Sequence, residues 1–137
     1  MRIGVVVNPI AGMGGRVGLK GTDGKVAEAR ERGAEPRAPE RAVEALTTLR
    51  EAAGEPLELF VAGGEMGERA ARDAGFEPTV VTEPGDETGA ADTRAAVDAF
   101  IDADVDLVLF VGGDGTAVDV AKTLQAAGVD TPMLGVP

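Results

Sequence analysis

The apolar residues of this chain are gathered into five short runs, and turn-forming residues follow each run within a few positions. The runs cover residues 3–7, 57–61, 76–82, 107–111 and 133–136. Short, nearly continuous stretches of Val, Ile, Leu and Phe are typical of strands that are buried on both faces of a parallel sheet. The pattern therefore predicts five strands.

Helical segments are predicted between these strands. They cover residues 25–32, 39–53, 65–74, 88–103 and 116–127. Pro39 is a favourable first residue for the second helix, and Gly54 stops it. Thr88 and Thr116 are predicted to cap the helices that follow them. Strands that alternate with helices in this way predict an α/β fold, with an open, mainly parallel sheet and helices on both faces in a Rossmann-like arrangement.

Glycine-rich turns follow the first, second and fourth predicted strands. In an open parallel sheet, ligands bind beyond the carboxyl ends of the strands. The positions of these turns therefore predict a shared binding crevice.

The fourth strand runs directly into Gly112-Gly113-Asp114-Gly115-Thr116. Gly112 and Gly113 are expected to adopt positive φ angles and to let a ligand approach the backbone closely. The following helix would present free N–H groups to an anion. A carboxylate between two glycines at this point has little structural value, so Asp114 is the predicted catalytic residue. Phosphoryl transfer fits best, because a single carboxylate can orient or deprotonate the accepting hydroxyl.

A second glycine-rich segment follows the first strand, with six glycines among residues 12–24. Arg16, Lys20 and the adjacent Lys25 give it local positive charge although the chain as a whole is acidic, which favours phosphate binding over a mobile surface loop. The candidate ligand contacts in this segment are Gly12, Gly14, Gly15, Arg16, Lys20, Thr22 and Asp23. The segment matches neither a Walker loop nor a dinucleotide-binding fingerprint.

Three further dipeptides allow both a structural and a functional interpretation. Asn8-Pro9 either ends the first strand or contacts the ligand. Gly63-Gly64 is favoured as a strand-to-helix turn, and Asp92-Thr93 is favoured as part of an ordinary helix surface.

The chain carries 24 acidic and 13 basic residues, for a net charge of −11. This balance disfavours nucleic acid as a partner. The excess of Asp and Glu favours adaptation to a salty cytoplasm over the alternative of a high-GC genome, because molar salt screens self-repulsion. The chain has no Cys and no His, which excludes disulfides, thiolate or imidazole metal sites and His-based triads.

No segment contains the roughly 20 consecutive apolar residues that cross a bilayer. The sequence therefore predicts a cytoplasmic protein that does not interact with membranes.

Residues 8–24 together with residues 112–116 resemble the ATP-NAD kinase superfamily, and more narrowly its archaeal and bacterial ATP-NAD/AcoX-type branch. The Gly-Gly-Asp-Gly element is shared with diacylglycerol kinases, sphingosine kinases and phosphofructokinases, whereas the long loop that begins at Asn8-Pro9 is more specific. The resemblance extends over the whole chain and implies that residues 1–137 form the N-terminal nucleotide-binding domain of such a kinase.

The resemblance further implies that Asp114 acts on the 2′-hydroxyl of the adenosine ribose of NAD, with ATP as donor and Mg²⁺ carried on the triphosphate. Asn8, Gly112, Gly113, Gly115 and Thr116 would belong to the nucleotide site. Val118 stands where this branch commonly has an arginine. The second, β-rich domain of the family is absent from this chain, so little turnover is expected from these 137 residues alone. A sheet edge left open in this way favours a homo-oligomer.

Two alternatives remain open at this stage. The chain could belong to a kinase of the same superfamily that phosphorylates a lipid or metabolite hydroxyl, or it could be a non-catalytic nucleotide-binding module. Polyphosphate also remains open as the phosphoryl donor.

Overall fold

The structure, a computed structural model, describes residues 1–9, 38–85 and 87–136. The glycine-rich segment 12–24 and the predicted helix 25–32 lie outside the described residues.

Five strands, four α-helices and one short 3-10 helix make up the described part of the chain. The strands are β1 (Arg2–Val7), β2 (Glu58–Ala62), β3 (Thr79–Thr82), β4 (Leu107–Val111) and β5 (Met133–Val136). The α-helices are α1 (Ala38–Ala52), α2 (Glu68–Asp73), α3 (Ala90–Asp102) and α4 (Asp114–Ala127), and the 3-10 helix is Gly64–Met66.

The strands form one parallel sheet in the order β3-β2-β1-β4-β5. β1 lies in the centre, where Val5 is in register with Val61 of β2 on one side and with Leu109 of β4 on the other. The predicted Rossmann-like α/β fold is therefore confirmed.

Each face of the sheet carries its own apolar core. One core joins α1 and α2 to inward-facing residues of the sheet such as Ile3, Val5 and Val111. The other joins α3 and α4 to residues of the opposite face, such as Val6, Val108 and Phe110. Helices cover both faces, as the alternating pattern predicted, and this explains why the central strands are continuously apolar.

The order in which strands are added to the sheet reverses between β1 and β4, which pair with each other in parallel. From β1 the sheet is built outwards through β2 to β3, and from β4 it is built in the opposite direction to β5. Connections that leave two adjacent parallel strands in opposite directions open a crevice at the carboxyl ends of those strands. Asn8 follows β1 and Gly112 follows β4, so both lie at this crevice.

Several predicted boundaries were wrong. The segment after β2 is interrupted at Gly67, whose φ of 150° divides it into the 3-10 helix and α2. β3 begins only at Thr79 rather than at residue 76. Helix α3 begins at Ala90 with Gly89 as its N-cap, so Thr88 does not cap it.

Within the described ranges, no helix is long and apolar enough to span a membrane.

Candidate functional site

The ends of β1 and β4 are tied together by two hydrogen bonds from Asn8. Its backbone N–H donates to the carbonyl of Val111 at 2.8 Å, which extends the pairing of the two strands by one residue. Its side-chain Nδ2 donates to Oγ1 of Thr116 at 3.2 Å. Asn8 thereby connects the first strand to the first turn of α4 at the floor of the crevice.

Thr116 is buried and lies within α4, which begins at Asp114 with Gly113 as its N-cap and without a side-chain cap. The prediction that Thr116 caps this helix was therefore wrong. Its hydroxyl accepts the Asn8 amide instead. A residue two positions into a helix has its side chain directed by the helix, and here that direction is towards β1.

Position 112 requires glycine because Thr116 leaves no room for a Cβ there, and not because the backbone has a special conformation. Positive φ angles occur at other glycines of the described residues, and the expectation of positive φ at Gly112 and Gly113 was wrong. A Cβ at position 112 would lie 2.5 Å from Oγ1 and 2.9 Å from Cβ of Thr116. Because Thr116 is fixed in a helix and hydrogen-bonded, it has little room to move away.

Gly113 and Gly115, in contrast, face open space. An ideal Cβ at either position would meet no atom within 4 Å. Gly113 has an extended backbone with φ −96° and ψ −160°. A ligand can therefore reach the backbone N–H groups of the first turn of α4, which have no acceptor within the helix.

Asp114 is the first residue of α4, and its side chain is exposed at the edge of a cavity of about 360 Å³. The described residues that line this cavity come from the ends of β4 and β5 and the starts of α1 and α4; they are Ala38, Arg41, Phe110, Val111, Gly112, Gly113, Asp114, Ala117, Gly135 and Val136. The cavity has a largely apolar wall with one carboxylate and one guanidinium among these residues. This combination suits an organic ligand that also carries charge.

Arg41 was not found by sequence reasoning. It lies in the predicted helix 39–53, where an arginine on the surface carries no functional signal by itself. Only the packing of α1 against the end of the sheet brings it to the same cavity as Asp114.

The structure brings together one of the two predicted groups of site residues. Asn8, Gly112, Gly113, Asp114, Gly115 and Thr116 all lie at the switch point between β1 and β4. Residues Gly12, Gly14, Gly15, Arg16, Lys20, Thr22 and Asp23 lie outside the described residues, so their predicted contacts with phosphate stay predictions.

Two dipeptides that allowed a functional interpretation have structural roles here. The Gly63 N–H donates to the carbonyl of Thr82 at 2.8 Å, and the Gly64 N–H donates to the Glu68 carboxylate at 3.0 Å. The Asp92 carboxylate accepts the N–H of Gly89 at 2.9 Å and so stabilises the start of α3. Thr93 is buried in the same helix.

The fold and the site together define a class of protein. This is a doubly wound α/β domain with a crevice at the switch point of its sheet, an exposed carboxylate at a helix N-terminus and a cavity beside it. Domains of this class bind nucleotides and other phosphate-bearing ligands at that position.

Comparison with known families identifies which one. Residues 3–137 match the family model of the ATP-NAD kinase N-terminal domain, and the chain belongs to this family. No curated protein sequence matches the chain. The crystal structure of the C-terminal domain of a hydrogenase from Pyrococcus furiosus is similar in fold, with a TM-score of 0.53 and 15% identity over 98% of this chain and 90% of that one.

Proposed function

We propose that this chain is the nucleotide-binding domain of a kinase that transfers a phosphoryl group from ATP to the 2′-hydroxyl of the adenosine ribose of NAD. The observation that carries the proposal is the position of Asp114. In a chain of the ATP-NAD kinase N-terminal domain family, this carboxylate is exposed at the first residue of α4 and lines the cavity at the switch point.

The surroundings of Asp114 suit a nucleotide. Gly113 and Gly115 leave open space next to the first turn of α4, so phosphate oxygens can approach its N–H groups. The hydrogen bond from Asn8 to Thr116 holds the end of β1 against this turn. The amides therefore keep their orientation before the ligand arrives, which lowers the cost of organising them on binding.

Asp114 would accept the proton of the ribose hydroxyl as that oxygen attacks the γ-phosphorus of ATP. The bond between the γ-phosphorus and the bridging oxygen of ADP breaks, and the electron pair leaves with ADP. The apolar wall of the cavity around Phe110 and Val136 would pack against the organic part of the ligand.

Mg²⁺ would reach the site bound to the triphosphate. Asp114 is the single carboxylate among the described residues that line the cavity, and the described residues contain no group of three acidic side chains able to hold a metal ion. Mg²⁺ is commonly held by one or two carboxylates together with substrate phosphates. Such an ion would neutralise phosphate charge during transfer.

The decisive variant is Asp114→Asn, which keeps the size of the side chain and removes its ability to accept a proton. In a protein that joins this domain to the β-rich domain of the family, we expect it to lower the rate of ATP-dependent NADP formation by at least about 100-fold, the usual contribution of a general base. Affinity for ATP should change by less than tenfold. Asp98→Asn, at an exposed position on α3, is the matched control and should leave both quantities unchanged.

The alternatives give different results in the same assay. A kinase for a lipid or metabolite hydroxyl would consume ATP with another acceptor and not with NAD, and the loss in Asp114→Asn would follow that acceptor. A non-catalytic module would bind nucleotide and show no transfer that depends on Asp114. Replacing ATP with polyphosphate identifies the donor.

A further inference from the structure

Arg41 lies in the first turns of α1, beside the stripe through which that helix packs on the sheet. Its neighbours Ala38 and Ala42 are buried in the core, whereas Arg41 itself is half-buried and lines the cavity. Part of Arg41 is thus shielded from solvent, and the residue lines the same cavity as Asp114.

Arg41 differs from most arginines of the described residues because no carboxylate among those residues pairs with it. Four others form ion pairs at 3.0–3.7 Å, namely Arg2 with Glu58, Arg69 with Glu65, Arg72 with Glu68 and Arg94 with Asp119. Within the described ranges, Arg41 has neither an ion pair nor a hydrogen bond. An arginine that lines a cavity and has no such partner among the described residues can serve an anion there.

The charge of the chain makes a local cation necessary for an anionic ligand. A net charge of −11 repels a nucleotide, which carries several negative charges. Asp114 adds to this repulsion at the cavity itself. Arg41 is the one basic residue among the described residues of the cavity wall, so it is the group there that offsets both effects.

We propose that Arg41 binds the pyrophosphate of a nucleotide in the cavity that it shares with Asp114. This inference rests on the proposed function and adds the residue that holds the phosphates. The planar guanidinium donates two parallel N–H groups to phosphate oxygens, a geometry that a lysine cannot reproduce. Arg41 thereby holds the phosphates while Asp114 serves the hydroxyl.

Both ATP and NAD carry a pyrophosphate, and the test distinguishes between them. Calorimetric titrations with ATP, with NAD and with adenosine are compared for the wild type, Arg41→Gln and Arg41→Lys. We expect Arg41→Gln to weaken one of the two pyrophosphate ligands by at least about tenfold and to leave adenosine within about twofold. The ligand that loses affinity is the one whose pyrophosphate Arg41 holds.

Arg50→Gln is the matched control, because it removes the same charge from an exposed position on the same helix. It should change each affinity by less than about twofold. Arg41→Lys keeps an aliphatic side chain and the positive charge but lacks the two parallel N–H groups of the guanidinium. It therefore tests the contribution of those N–H groups even if Arg41→Gln folds poorly. We expect it to lose several-fold in affinity for the same ligand.

Any one of the following results would overturn the inference. The first is an equal loss for adenosine, which would make Arg41 a packing residue, and the second is an equal loss in Arg50→Gln, which would indicate net charge alone. The third is unchanged affinity for both ATP and NAD in Arg41→Gln, or no binding of either by the wild type. If Arg41→Gln loses affinity while Asp114→Asn leaves transfer unaltered, the proposed function fails and the phosphate contact stands.

Discussion

The side-chain amide of Asn8 donates a hydrogen bond of 3.2 Å to Oγ1 of Thr116, although 108 residues separate the two along the chain. This bond joins the end of the first strand to the first turn of the helix that begins with Asp114. It connects the two sides of the switch point, so the helix turn that carries Asp114 is tied to a residue near the start of the chain.

Thr116→Val tests this connection, because valine has the shape of threonine without the hydroxyl. We expect the free energy of unfolding to fall by about 1–2 kcal/mol, since the partly buried Asn8 amide loses an acceptor. Affinity for nucleotide should fall as well, because the first turn of α4 is no longer held against β1. Chemical denaturation and calorimetric titration measure the two effects.

Thr123→Val is the control for Thr116→Val. Thr123 is also buried in α4, and its hydroxyl donates to the carbonyl of Asp119 at 2.8 Å, far along the helix from the cavity. Compared with Thr116→Val, the Thr123→Val variant should lose a similar or smaller amount of unfolding free energy, and it should keep the wild-type affinity for nucleotide. Equal losses of affinity in both variants would show that only general destabilisation is involved.

The two adjacent glycines after β4 should respond in opposite ways to alanine. Gly112→Ala places a methyl group 2.5 Å from Oγ1 of Thr116, so we expect a loss of about 2 kcal/mol or more as the helix is pushed away. Gly113→Ala meets no atom within 4 Å and has an extended backbone that alanine accepts. Its stability should stay within about 0.5 kcal/mol of the wild type.

Gly113→Ala should instead affect the ligand, because its methyl group enters the space beside the first turn of α4. We expect weaker binding of nucleotide at nearly unchanged stability, measured by titration alongside a thermal melt. Wild-type affinity in this variant would indicate that the ligand does not approach that backbone.

Glu68 should make stability depend on pH. The N–H of Gly64 donates to the Glu68 carboxylate, and Arg72 forms an ion pair with it at 3.0 Å. Both contacts lower the pKa of Glu68, and the hydrogen bond from Gly64 has the larger effect. A carboxyl whose folded pKa is depressed stabilises the protein above its unfolded pKa, about 4.3 for glutamate, and this contribution is lost as the pH falls through the lower folded value.

Glu68→Gln should therefore unfold at a lower temperature than the wild type at pH 7, and the two unfolding midpoints should converge as the pH is lowered below about 4. Glu44→Gln, at an exposed position of α1, serves as control and should follow the wild type throughout. A difference that persists unchanged to pH 2 would show that Glu68 acts through packing rather than through its charge.

The net charge of −11 predicts that salt stabilises the fold. Two effects oppose each other. Salt screens the repulsion among excess carboxylates, and it weakens solvent-accessible ion pairs, four of them among the described residues, that are worth at most about 1 kcal/mol each. Because acidic residues outnumber basic residues by 24 to 13, screening should win. Between dilute buffer and 1 M KCl we expect the unfolding midpoint to rise by at least about 5 °C, and an unchanged midpoint would remove the argument for a salty cytoplasm.

The strands were predictable because burial on both faces leaves a direct trace in the sequence. β4 and β5 were predicted with the bounds that the structure shows, and β1 differs by one residue. The helix starts were less predictable, since glycines rather than side-chain caps precede α3 and α4. A glycine before a helix carries little local signal, whereas threonine is a favoured N-cap; neither Thr88 nor Thr116 caps its helix here.

The sequence by itself determined the order of strands and helices and the parallel sheet, and it predicted Asp114 as the catalytic residue, because apolar periodicity and a carboxylate between glycines are local patterns. Only the tertiary structure decided which residues share the site. It paired Asn8 with Thr116, made Gly112 a steric requirement and brought Arg41 to the cavity of Asp114. These relationships depend on how the β1 end, α1 and α4 pack together, and contacts between residues so distant in the chain leave no spacing that a sequence pattern can show.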